Sequence, residues 1–88
     1  MEYRLAYSQS FQKHFRSFSD SQQKQIRNKL KILVSDLTHP SLRVKRIKGT
    51  NDLWEMSVNM DIRIIWRYEE DVIILLVDIG HHDILKKY

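Results

Sequence analysis

Tyr3, Leu5 and Tyr7 alternate with Arg4 and Ala6, and this period of two predicts a strand over Tyr3–Tyr7 with one buried face. From Ser8, a residue suited to cap a helix, the period lengthens. Phe11, Phe15 and Phe18 recur at helical spacing while Gln12, Lys13 and Arg16 fall on the wet side. Ser19 and Asp20 offer a second cap, and Ile26, Leu30, Leu33, Val34 and Leu37 form the apolar stripe of a longer helix. His39-Pro40 is expected to stop it, since the residue before a proline avoids the helical region. Beyond the turn formers Gly49-Thr50-Asn51-Asp52, Leu53–Val58, Ile62–Tyr68 and Val72–Ile79 read as strands. Their polar links, Asn59-Met60-Asp61 and Glu69-Glu70-Asp71, are short enough to imply antiparallel neighbours.

These elements predict one α+β domain over residues 1–88, in the order β-α-α-β-β-β. A two-helix hairpin packs on one face of a twisted antiparallel sheet. Val72–Ile79 is apolar almost throughout and belongs at the sheet centre. Arg63 and Arg67 alternate with Ile62, Ile64, Trp66 and Tyr68, so they point to the other, open face.

Composition narrows the field. At 88 residues, 42% hydrophobic and 30% charged, the chain has enough apolar surface for one small core and too little to be very stable alone. A long-lived protein partner would stabilise it by mass action. The absence of cysteine excludes disulfides, thiolate nucleophiles and cysteine-based zinc sites, and agrees with a reducing compartment. The longest apolar run, Val72–Val77, is too short to cross a bilayer, and Met1–Tyr7 lacks a cationic lead with an apolar follow-on. The cytoplasm is the expected location, with no membrane partner. A net charge of +4 favours an anionic partner, either nucleic acid or an acidic protein segment.

Candidate chemistry gathers late in the chain. Arg43, Lys45, Arg46 and Lys48 form a basic segment; Asp61, Arg63 and Arg67 sit on or beside the middle strand; Gly80-His81-His82-Asp83 follows the last strand, and Tyr88 ends the chain. If the last three strands are neighbours, Arg63 lies beside the strand end that delivers His81 and His82. RNA cleavage through the 2′-hydroxyl needs a base, an acid and cations for the phosphorane charge, and His and Arg supply these near neutral pH. Plainer readings stay open. The histidines suit a polar strand-end turn, Arg63 and Arg67 suit ion pairs with Glu55 or Glu69, and Arg43–Lys48 suits a solvated loop. Trp54, Trp66 and Tyr68 suit the core better than base stacking. A metal site at His81-His82 is disfavoured, because adjacent residues on an extended chain point to opposite faces.

The basic stretch ending in Lys48-Gly49, then Leu53-Trp54-Glu55-Met56, Arg63-Ile64-Ile65-Trp66, the acidic turn Glu69-Glu70-Asp71, an aliphatic strand and Gly80-His81-His82-Asp83 together resemble the RelE/ParE toxin superfamily over nearly the whole chain. The resemblance implies a type II toxin with a cognate antitoxin. It also implies an endoribonuclease that cuts messenger RNA in the ribosomal A site without a metal or other cofactor, leaving a 2′,3′-cyclic or 3′-phosphate. Arg63 matches the arginine that stabilises phosphate charge, and His82 the proton-transfer residue of YafQ-like members. Asp61 matches an acidic loop residue, Tyr88 the C-terminal aromatic, and His81 is a further candidate. Arg43, Lys45, Arg46, Lys48 and Arg67 would bind the RNA backbone. Glu55 and Ser57 stand where RelE carries lysines, so a lysine mechanism is closed at those positions. Two rivals remain: a ParE-like inhibitor that binds DNA gyrase, and a degenerate member that binds only its antitoxin.

Overall fold

The computed structural model describes residues 2–88. Strand β1 (Arg4–Tyr7) leads into helix α1 (Gln9–Phe15), where the Ser8 hydroxyl accepts from the Phe11 amide at 2.9 Å. Helix α2 (Asp20–Ser35) opens on a full capping box between Ser19 and Gln22. Phe18 lies past the end of α1, in the link, yet is buried with Phe11.

Helix α2 stops at Ser35, before the expected His39-Pro40. The Asp36 carboxylate accepts from the amide and hydroxyl of Thr38, a local turn that competes with further helix. Pro40 instead opens a 3-10 turn, Pro40–Leu42, that buries Leu42 fully.

Strands β2 (Lys45–Arg46), β3 (Trp54–Ser57), β4 (Ile62–Glu70) and β5 (Ile73–His81) follow, and a 3-10 helix, His82–Lys87, closes the chain. The five-stranded sheet has the order β1-β5-β4-β3-β2, so β5 is an interior strand, as its apolar run predicts, and β4 stands in the middle. Two features depart from the sequence reading. Half of the basic loop forms β2, pairing Lys45 with Glu55 and Arg46 with Trp54, a short charged edge that resists further pairing. The β1–β5 pair is parallel, because the whole intervening chain joins these strands and no hairpin reverses them.

The sheet has two unequal faces. Under the helices lie Met56, Ile62, Ile64, Trp66, Ile74 and Leu76, in one core with Ile26, Leu30 and Leu33 of α2. The other face is not fully open: Ile47, Ile65 and Ile84 form a small second core that the C-terminal 3-10 helix covers. No helix among the described residues is long and apolar enough to cross a membrane.

Candidate active site

Strand β5 runs two residues beyond its apolar stretch, so Gly80 and His81 are in the sheet and His82 starts the 3-10 helix. Gly80 leaves room for the Ile84 side chain where the helix folds back. A Cβ there would stand 2.9 Å from Ile84 Cδ1 and 3.2 Å from Ile84 Cβ, inside the contact by which the helix folds back. Ile62 pairs with His81 and Arg63 with Gly80, as the expected strand adjacency requires.

The expectation that His81 and His82 point apart fails, because the chain turns between them. Both converge on Asp61: His81 Nδ1 lies 2.5 Å from Oδ2, and His82 Nδ1 lies 3.1 Å from Oδ1. The His82 amide also donates to Oδ1, at 3.3 Å. A carboxylate only accepts, so both Nδ1 atoms carry protons and both Nε2 atoms are left for chemistry. The hydrogen bonds from His81, then His82, hold the Asp61 carboxyl down at about 2. His81 also packs on Phe18, ring centroids 5.5 Å apart, which ties the cluster to the helical hairpin. No group of three or more His, Asp or Glu among the described residues has the arrangement to hold a metal ion.

Arg63 leaves the sheet on the face opposite the helices. Its Nη1 donates to the carbonyls of Asn59 at 2.7 Å and Ile62 at 3.3 Å. The guanidinium is thus braced by backbone without an ion pair, and its other N–H groups make no hydrogen bond among the described residues. Arg67 does make the ion pair the plainer reading allowed, with Glu69 at 3.4 Å. Arg46 is committed to structure: it donates to the carbonyls of Thr50 and Asn51 and lies over Trp54. Arg43, Lys45 and Lys48 are exposed. Trp66 is fully buried and stacked on half-buried Trp54, whereas Tyr68, on the same strand, is exposed.

Tyr88 is not in the Asp61 cluster. Its hydroxyl donates to Asp78 Oδ2 at 2.8 Å, and burial together with that carboxylate pushes the phenol up to about 12. Asp78 is a residue that sequence reasoning passed over. It is 1% exposed and receives His14 Nδ1 at 2.6 Å and the Ile79 amide at 2.8 Å. Burial pushes its carboxyl up, but the bonds from His14, Tyr88 and Ile79 outweigh this and it ends below the usual range. A β-bulge between its pairings with Ile65 and Trp66 breaks the alternation of β5 just before Asp78. One signal was available, a single charge inside the apolar run Ile73–Ile79. The neighbouring cleft of about 400 Å³ is lined by His14, Phe18, Gly80, His81, Asp83 and Lys87, among others.

Three solved structures share this architecture. The archaeal RelE–RelB complex from Pyrococcus horikoshii OT3 superposes with a TM-score of 0.73 at 20% identity, over 92% of this chain and 96% of that one. The YoeB dimer from Staphylococcus aureus gives 0.75 at 15%, over 93% and 99%. The E. coli DinJ–YafQ toxin–antitoxin complex gives 0.72 at 14%, over 97% and 98%. At these identities the likeness is one of fold. A comparison with curated proteins finds no match. The family model of the ParE toxin of the type II toxin-antitoxin system parDE matches residues 5–85, and the chain therefore belongs to the RelE/ParE superfamily of type II toxins.

Proposed function

We propose that this toxin is a ribosome-dependent endoribonuclease that cuts messenger RNA in the A site without a metal. The observation that carries the reading is the Asp61 clasp: one carboxylate fixes two imidazoles through Nδ1, at the strand end beside Arg63. An imidazole so held presents a defined Nε2 to a substrate, which general acid–base catalysis needs. His82 transfers a proton, with His81 as its neighbour and Asp61 as the group that orients both. Arg63 offers cationic donors to the phosphorane oxygens. The 2′-oxygen bonds to phosphorus, the bond to the 5′-oxygen breaks, and a 2′,3′-cyclic phosphate remains. Exposed Arg43, Lys45 and Lys48, with Arg67, hold the RNA backbone. Tyr88, tied to Asp78, has a bracing part in this scheme rather than a stacking one.

The cognate antitoxin is the expected protein partner and the cytoplasm the expected place of action. Mapping message 5′ ends on translating ribosomes after induction tests the reading. New ends inside A-site codons, still produced in the presence of a strong chelator, are expected; intact messages overturn it. A second reading, gyrase inhibition by binding, is favoured by the ParE family model that the chain matches. It predicts trapped gyrase–DNA complexes, unchanged messages, and growth arrest that persists in His82→Ala.

A further inference from the structure

The reaction proposed above names one proton-transfer group and needs two, a base for the 2′-hydroxyl and an acid for the 5′-oxygen. We propose that His14, aligned by the buried Asp78, is the second, acting opposite the Asp61-held pair, of which His81 lines the same cleft and His82 does not. The proposal rests on the endoribonuclease reading.

The two histidines have matching environments. His14 Nδ1 is held at 2.6 Å by Asp78, and His81 Nδ1 at 2.5 Å by Asp61. Each carboxylate fixes a proton on Nδ1, and neither Nε2 makes a hydrogen bond among the described residues. Both imidazoles line one cleft of about 400 Å³ that also holds Lys87, an exposed cation suited to a phosphate. His14 is reachable, with 41% of its side chain exposed, whereas Asp78 behind it is only 2% exposed at the side chain.

That asymmetry argues against a mere staple. A buried carboxylate is expensive even when paired, and an apolar contact between α1 and β5 would join the elements more cheaply. The arrangement is suited to presenting an oriented imidazole to the cleft. In the reaction one imidazole takes the 2′-hydroxyl proton as the 2′-oxygen bonds to phosphorus. The other, as imidazolium, gives its proton to the departing 5′-oxygen, so protons and bonds balance with no co-reactant.

The test uses programmed ribosomes and a short message whose scissile 5′-oxygen, located first with wild-type toxin, is replaced by sulfur. Sulfur leaves as thiolate and needs no acid. His14→Asn keeps an N–H for Asp78 but has no Nε2, and His14→Gln is a second variant. On the ordinary message the His14 variants and the double variant His81→Ala with His82→Ala are each expected to be slowed about a hundredfold or more. On the sulfur message one side, His14 or the Asp61-held pair, recovers to near wild type and the other does not, which identifies the acid. A His14→Asn or His14→Gln toxin that cuts the ordinary message at the wild-type rate overturns the proposal, as does slowing with no recovery on either side. If both variants fail to fold, diethyl pyrocarbonate labelling of wild-type toxin decides. Labelling of His14 that is blocked by ribosomes carrying a 2′-deoxy message supports the proposal, and labelling that is unaffected overturns it. A wild-type toxin that cuts neither message sinks the endoribonuclease reading itself, an outcome distinct from these.

Discussion

Asp61 holds two imidazoles with its two oxygens, so its charge state controls the site. Its carboxyl sits at about 2 in the fold against an ordinary 3.8. A depressed carboxyl stabilises the fold above its unfolded value and loses that contribution as pH falls through its folded value. Thermal melts of wild type and Asp61→Asn are therefore expected to differ above pH 4 and to converge between about pH 4 and pH 2. Parallel curves down to pH 2 would contradict the clasp. The proposed reaction assigns Arg63 and His82 to substrate rather than to packing. Arg63→Ala and His82→Ala are each expected to slow cleavage about a hundredfold or more while leaving the melting temperature nearly unchanged. A melt that drops with activity would make either residue structural.

Among the elements, the C-terminal 3-10 helix decides most. It carries His82, covers the second core through Ile84 and is pinned by Tyr88 to Asp78. Gly80→Ala sets a methyl against Ile84, and destabilisation of about 1–3 kcal/mol is expected from such overpacking, with a loss of cleavage as the helix shifts. Urea unfolding and a cleavage assay on the same sample check both. Tyr88→Phe removes a hydrogen bond to a buried carboxylate and should lower stability at neutral pH by about 1.5–3 kcal/mol. Since the phenol is raised from 10.0 to about 12, the difference should be full below pH 10 and vanish as pH rises through 12. A difference that ignores alkaline pH would show that the hydroxyl contributes nothing through Asp78.

For the whole molecule, size and charge set the expected behaviour toward a partner. A small domain with net charge +4 and a cationic sheet edge is suited to an acidic, partly disordered antitoxin segment that folds on binding. A ligand present at about a hundred times its dissociation constant adds about 2.7 kcal/mol to stability. Co-expressed toxin and antitoxin are expected to elute together and to melt well above free toxin. Separate elution with an unchanged melt would remove the antitoxin from the account.

The sequence by itself determined what depends on neighbours along the chain. Ser8 and Ser19 as caps follow from local hydrogen bonding, the buried face of β4 from alternation at Ile62, Ile64 and Trp66, and the interior place of β5 from its apolar run. The adjacency of Arg63 to Gly80 follows from the tight link between β4 and β5. Tertiary structure alone decided the rest. His81 and His82 meet on one carboxylate because the chain turns from strand into 3-10 helix between them, which strand periodicity cannot express. His14 and Asp78, 64 residues apart, meet because α1 packs on the bulged end of β5. No local rule encodes such a contact, since its position depends on how the helical hairpin settles on the sheet and its energy on being buried there.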